Sequence, residues 1–473
     1  MCGILLTFNC VVTSDLIKRR GPDYYNRITD GKLTRISSVL ALRGHQEQPY
    51  HGLQFNGEIY INVPSDTVYL YSVFMNNPIE DALTKVDGLD GEFAFTFVSG
   101  SKIYFGRDCF GRRSLMYKMV NDALIVSSLY IQDDMVECDC DKWYVFDMDT
   151  FELDFINKTV EIPPFIYKLV DSDLLVPMPE YIIKYSSYLE ELEQCFIKSV
   201  EDRLFTSETN SYAVLFSGGL DCSLLVYYLD KLIPKEYSID LLNVAFEHRN
   251  SKVKYVVPDR QTAIERCEEL KKLCPIRKFN LVLVNVPLVD YLKEKHHIIN
   301  LIRPQNTVMD LSICSAFWFA AKGTGLVNEA EYTSKSKILF SGLGADELFG
   351  GYSRHRSAFE HSSWSGLFDC LNVDVQRLNK RNLGRDDRVI ADLGKEIRYP
   401  FLHPSMVQFA NQCPINIKCD PRYPQGEGDK RILRALANKI GLRGASTAPK
   451  RAIQFGSKTA KLESSKEKGT DLL

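Results

Sequence analysis

Tyr212-Ala213-Val214-Leu215-Phe216-Ser217-Gly218-Gly219-Leu220-Asp221-Cys222-Ser223 decides how the second half of the chain is read. The apolar run reads as a buried strand, the glycine pair as a tight turn, and the apolar residues up to Leu232 as a helix. A strand, a glycine loop and a helix start form an anion site. Glycines let the backbone approach phosphate oxygens, and the free N–H groups and dipole of the helix favour negative charge. The hydroxyls of Ser217 and Ser223 add donors. Asp221 would repel a phosphate unless a hard cation sits between them, which asks for Mg2+. The Gly-Lys-Ser/Thr ending of a Walker A loop is missing. A Gly-Gly turn without function fits the dipeptide alone and fits the whole pattern poorly.

The same logic recurs downstream. A strand over 337–340 runs into Ser341-Gly342-Leu343-Gly344-Ala345-Asp346-Glu347 and on to Gly350-Gly351-Tyr352. Asp346 is then a second metal-binding carboxylate. Ligands of open α/β sheets bind at the carboxyl ends of strands, so both turns can face one nucleotide. Around them the pattern gives helices over 188–205, 223–232, 258–274 and 306–322, with strands over 212–216, 241–246 and 278–286. Strands alternating with helices imply a parallel sheet covered on both faces. The polar stretch 326–336 reads as a surface loop, and the charged tail 461–473 as frayed.

The first half has a different grammar. Alternating runs over 53–60, 92–98, 102–105 and 123–127, with Gly and Asp turns, read as antiparallel strands. Cys2 follows the initiator Met, which cytosolic processing removes before a small side chain. The cysteine then carries both a thiol and the α-amine, whose reference pKa of roughly 7.7–8.0 lets it take the thiol proton. On its own Cys2 reads more readily as a small apolar residue opening a strand. Its neighbours change the balance. Thiolate attack on an amide makes an oxyanion, for which Asn56 and Gly57 offer a side-chain amide and a backbone N–H. The ends of an amino-acid substrate ask for acids (Glu58, Asp66) and a forked cation (Arg43). Asn56-Gly57 also fits a hairpin turn.

The chain of 473 residues is too long for one ordinary core, so two domains are expected: 1–165, a linker over 166–187, and 188–473. A net charge of −3 gives no footprint for nucleic acid or an anionic membrane. No apolar run is long enough to span a bilayer, and the start lacks the basic region of a signal peptide. The 13 scattered cysteines, with no C-x-x-C pair, argue for reduced thiols in a cytoplasmic protein and against a disulfide framework or zinc site. The sequence leaves open whether copies of the chain assemble into a homo-oligomer.

These pieces resemble two known families in one order. Met1-Cys2-Gly3-Ile4, Arg20-Gly21-Pro22-Asp23, Arg43, Asn56-Gly57-Glu58-Ile59-Tyr60, Ser65-Asp66, Gly91-Glu92-Phe93-Ala94-Phe95 and Gly106-Arg107-Asp108 with Gly111 resemble class II glutamine amidotransferase domains. The resemblance implies an N-terminal-nucleophile αββα sandwich. In it Cys2 is the nucleophile, and Arg43, Asn56, Gly57, Glu58 and Asp66 hold glutamine and its oxyanion. The two glycine turns, Asp387-Arg388, the segment from Glu396 to Leu402 and that from Lys450 to Gly456 resemble the ATP pyrophosphatase (PP-loop) domain of the asparagine synthetase family. They look closest to its eukaryotic asparagine synthetase domain-containing branch. That resemblance implies an ATP site of Leu215, Ser217, Gly218, Gly219, Asp221, Ser223, Val244, Ser341 and Gly342, with Mg2+ on Asp221 and Asp346. Lys450 is then the catalytic cation. Glutamine hydrolysis would supply ammonia to a carboxylate activated as its adenylate, with aspartate the expected acceptor. A homologue that keeps glutamine or nucleotide binding as a sensor or scaffold, or amidates another carboxylate, is the alternative. Four positions depart from the pattern: Ser114 for the usual Pro, Cys222 for Ser, His403 for Asp, and Leu343 for a Glu that helps manage the proton of ammonia.

Overall fold

A computed structural model describes residues 2–160, 162–206, 209–247, 254–462 and 468–473. Two antiparallel sheets form the first half. One runs in the order Tyr24–Asp30, Leu33–Val39, Gly3–Phe8, Ala123–Ser127, Met116–Val120, Val136–Glu137. The other runs Leu153–Asn157, Lys142–Asp147, Lys102–Arg107, Gly91–Ser99, Leu53–Ile59. They stack face to face because their strands alternate. Ile4, Leu6 and Phe8 meet Ile103, Phe105 and Phe146 in a buried layer, with Phe8 and Phe146 edge to face at 5.6 Å. Phe55, Phe93, Phe95 and Phe97 point the other way, onto the helices Asp66–Met75 and Ile79–Asp87. The outer face of the first sheet, through Leu5, Ile36 and Ile125, belongs to the core of the second half. The short Leu16–Arg20 helix also covers it, and much of the outer layer there comes from the second half of the chain.

The third sheet carries the second half: Ala330–Thr333, Thr324–Val327, Phe279–Val286, Ile239–Phe246, Tyr212–Leu215, Ile338–Phe340, Glu396–Arg398. Five of these strands are parallel. The chain moves one way from Tyr212–Leu215 through Ile239–Phe246 and the other way to Ile338–Phe340. That reversal opens a crevice at the carboxyl ends of the central strands. The remaining two strands correct the expected loop over 326–336, which is an antiparallel hairpin added to the sheet edge. Its alternation of Tyr332 with polar neighbours is too short to announce a strand. The helices Leu288–Ile302 and Ser353–Leu378 complete the layers.

The segment 166–187 is docked rather than free. It holds the helix Met178–Lys184, and the buried Tyr181 hydroxyl donates to the carbonyl of Ile417 at 2.6 Å. Of the tail expected to fray, residues 463–467 lie outside the described part. Beyond them Asp471 O and Gly469 O accept from Val308 and Met309 at 2.9 Å each, capping the Val308–Lys322 helix start. Among the described residues no helix is long and apolar enough to cross a membrane.

Two candidate active sites and the charged seam between them

Cys2 opens the Gly3–Phe8 strand and is buried, and burial pushes its thiol up. Its backbone nitrogen, the α-amine once Met1 is removed, donates to Asn56 Oδ1 at 2.8 Å. Asn56 Nδ2 is buried and has no partner among the described residues. An unspent amide donor on the residue that holds the Cys2 nitrogen is what an oxyanion needs, since burying it without purpose costs roughly 1–3 kcal/mol. Gly57 holds φ at +135°, and a side chain there would strike the backbone of Glu92 and Phe93. Arg43, Glu58 and Asp66 meet at the mouth of this cavity of 50 Å3. Arg43 forms ion pairs with both acids and donates to the Ile59 carbonyl at 2.8 Å. The sequence missed Gln48. Its Nε2 lies 3.8 Å from the Cys2 sulfur, and its Oε1 accepts from the Phe55 N–H at 2.7 Å. Gln48 stands 46 residues after Cys2 and 7 before Phe55, so no local pattern marks it.

The second site lies under the two glycine turns. Leu215, Val244, Ser217, Gly219, Asp221, Ser341, Gly342, Leu343, Asp346 and Lys450 line one cavity of 410 Å3. The turns abut: a side chain at Gly342 would meet Asp221 Cβ at 2.9 Å. Gly218 sits at φ +75° with its α-carbon against Thr262 and Ala263, where no other residue fits. Ser223 is fully buried beneath the turn and is not among the residues that line the cavity. Cys222 donates to the Gly219 carbonyl at 3.3 Å, so its thiol braces the loop.

Lys430, which lines an adjoining cavity of 300 Å3, places its Nζ 2.6 Å from Asp221 Oδ2 and 2.7 Å from Asp346 Oδ1. Lys450 pairs with the other oxygen of Asp346. Burial would raise the Asp346 carboxyl, but the two ammonium groups hold it well below the usual range. The Lys430 ammonium holds the point on which the two carboxylates converge, so a Mg2+ bound by this pair would have to take its place. Lys430 stands 209 positions from Asp221 and carries no motif, so sequence reasoning passed it by.

Between the two sites runs a buried seam of arginines and carboxylates. Arg20 Nε donates to the carbonyl of Cys2 at 3.1 Å, and its Nη2 pairs with Asp387 at 2.8 Å. Asp387 also accepts from the Ser114 N–H at 3.0 Å, and Arg388 donates to Ser114 Oγ at 2.9 Å. Proline has no N–H to give, which accounts for Ser114 in place of the usual Pro. Asp387-Arg388 therefore works in the seam. Arg398 Nη2 lies 3.4 Å from Glu58 Oε2, while its carbonyl accepts from the Ser341 N–H at 3.0 Å. His403 accepts from the Ser405 N–H, capping the Pro404–Gln412 helix. Its other nitrogen lies 3.1 Å from Asp90 and 3.0 Å from Asp202. A histidine whose two nitrogens are both spent this way replaces the usual Asp as a structural group.

Two sheet systems, one with a buried cysteine at its first strand and one with paired glycine–acid turns, define a protein with two candidate sites. The profile of the asparagine synthase family matches residues 191–369 and 360–468, and the chain belongs to that family. It is 36% identical to an asparagine synthetase domain-containing protein of Saccharomyces cerevisiae, over 97% of this chain and 90% of that one. It is 29% identical to asparagine synthetase domain-containing protein 1 of Mus musculus, over 100% and 99%. A Drosophila melanogaster protein of the same description is 42% identical over 52% of this chain and 44% of its own. These relatives are named for a domain rather than for a reaction.

Proposed function

We propose that this chain is a glutamine-dependent ligase that uses Mg·ATP to amidate a carboxylate. The first half is the N-terminal-nucleophile glutaminase and the second the PP-loop synthetase. The observation that carries the reading is the meeting of both glycine turns over one cavity lined by Asp221, Asp346 and Lys450, with Lys430 paired to both aspartates. Cys2 attacks the glutamine amide with its α-amine as base, while Asn56 and Gly57 stabilise the oxyanion and Arg43, Glu58 and Asp66 hold the amino-acid end. Ammonia then passes inside the protein to the second site. Leu215 and Val244 flank the adenine. The backbone of the Ser217–Gly219 turn, with Ser341 and Gly342, takes the phosphates. Asp221 and Asp346 would hold Mg2+, which neutralises phosphate charge. Lys430 and Lys450 then face the leaving pyrophosphate. Family likeness gives aspartate as the first acceptor to test. Leu343 cannot accept the ammonia proton, a loss worth roughly 10²–10⁴ in rate unless another group or water serves.

Calorimetric titration tests the nucleotide half. ATP should bind at least about tenfold more tightly with Mg2+ than without, and Asp221→Asn should remove that difference. Equal affinity with and without the metal contradicts the carboxylate–metal–phosphate arrangement.

A further inference from the structure

The acids that line the 410 Å3 cavity each have a partner, with one exception. Asp221 and Asp346 meet on the Lys430 ammonium, and Lys450 takes the other oxygen of Asp346, so two cations answer two carboxylates. Asp310 and Asp386 pair with Arg385, and Asp374 with Arg354 and His355. Glu347 accepts from the Tyr352 hydroxyl at 2.6 Å. Asp259 differs. It stands in the first turn of the helix Pro258–Leu273 and is only 6% exposed. Its carboxylate has no hydrogen-bond or ion-pair partner among the described residues. It packs across Gly456, where a side chain would lie 2.0 Å from both oxygens. The cations that pull on it are engaged elsewhere: Arg451 donates to Thr262 Oγ1 at 3.2 Å, and Lys450 is paired with Asp346. The helix dipole favours an acid in a first turn, but an exposed side chain gains that as well. A buried carboxyl without a partner costs free energy and calls for a ligand.

Its position says which ligand. The Ser217–Gly219 turn rests on the same helix, since Gly218 has no room for a side chain against Thr262 and Ala263, one turn beyond Asp259. Asp259, Ser217, Gly219, Asp221 and Lys450 line both the 410 Å3 cavity and the adjoining one of 300 Å3. Asp259 therefore stands on the wall the cavities share, beside the turn that would take the phosphates. A triphosphate there would meet an acid with no cation of its own. Burial pushes that carboxyl up to about 7, and a cation arriving beside it would complete its ionisation. A hard divalent cation held by one or two carboxylates plus phosphate oxygens removes the clash. Between Asp221 and Asp346 such a cation has to displace Lys430, whereas at Asp259 it displaces nothing. We propose that Asp259 is a further metal-binding carboxylate of this site, a ligand of the divalent cation that enters with the triphosphate. The inference rests on the Mg·ATP reading and adds a ligand that neither glycine turn supplies.

The test is calorimetric titration of the full chain with α,β-methylene-ATP, with Mn2+ and without divalent metal, in the wild type, Asp259→Asn and Asp221→Asn. The wild type should bind the Mn2+ complex at least about tenfold more tightly than the metal-free nucleotide. Asp259→Asn should lose that preference. It should bind the metal-free nucleotide no more weakly than the wild type, because an acid facing phosphates is gone. Paramagnetic resonance should show the matching rise in free Mn2+. With neither metal nor nucleotide, Asp259→Asn should melt no lower than the wild type, since it removes an unpaired buried acid. Full metal preference in Asp259→Asn, with the preference lost in Asp221→Asn, overturns this ligand and leaves the Mg·ATP reading standing. No metal preference in the wild type removes both. A melting temperature several degrees below the wild type, or an equal loss of metal-bound and metal-free binding, makes Asp259 a structural residue and also overturns the proposal.

Discussion

In the proposed reaction Cys2 would concentrate the chemistry of the first half in one residue, because removal of Met1 would put nucleophile and base on the same α-carbon. Burial raises its thiol, so the proposed attack would depend on the amine and on the free Asn56 amide rather than on a standing thiolate. A glutamine-analogue electrophile should label Cys2, and Cys2→Ala should abolish glutamate release measured by an enzyme-coupled assay. Glutaminase activity that survives in the variant refutes the assignment. Glu58 makes a pH-dependent companion. Burial pushes its carboxyl up to about 7, against the pull of Arg398 and Arg43. A carboxyl with a raised pKa is protonated below that pH, and only the ionised form holds an ammonium. Glutamine affinity, titrated on the Cys2→Ala protein, should therefore strengthen as pH rises from 6 to 8, with the bend near 7. A flat profile contradicts the role given to Glu58. Cys2, Asn56 and Gly57 were singled out in the sequence because the chemistry proposed for them is local: chain position, a side-chain amide, a backbone N–H. Gln48 and Lys430 were not, because each acts on a partner brought near only by the fold.

At the scale of elements, Ser114 shows how a family departure becomes readable once its hydrogen bonds are known. Its N–H and hydroxyl tie the segment before the Met116–Val120 strand to Asp387 and Arg388 of the second half. Ser114→Pro removes the N–H and should destabilise the chain by about 1–3 kcal/mol. The melting temperature should fall by several degrees, while Ser114→Ala, which keeps the N–H, should fall less. Equal melting of the two variants means the Asp387 bond contributes nothing. Most strands and the helices flanking the glycine turns follow from period and turn chemistry, as at Tyr212–Leu215 and Pro258–Leu273. The Ser353–Leu378 helix did not, because it is polar along most faces and breaks at Ser362 and Ser363. The 324–333 hairpin was hidden for a different reason: edge strands of four residues carry too few alternations to stand out.

For the molecule as a whole, length asked for two domains, and the sheets do fall on either side of 166–187. The sequence could not show how closely they join. One apolar core runs from Leu5 of the first sheet to the helices of the second half. Through it pass Arg20–Asp387, Arg113–Glu396 and Arg398–Glu58, all almost fully buried. Removing one partner of a buried pair typically costs about 3–5 kcal/mol, so the seam fixes the two sites relative to each other. The Cys2 carbonyl and the Ser341 N–H are each one bond away from it. A protein built this way should use the products of one site at the other, and that is the central claim. The most direct test incubates the processed chain with glutamine, Mg·ATP and a panel of mono- and dicarboxylates, and resolves every product. The account predicts glutamate, AMP, pyrophosphate and one amide in equal amounts, with glutamate formation and glutamine-supported amide lost together in Cys2→Ala. Formation of ADP and phosphate, or glutamate release with no AMP for any carboxylate, would contradict it.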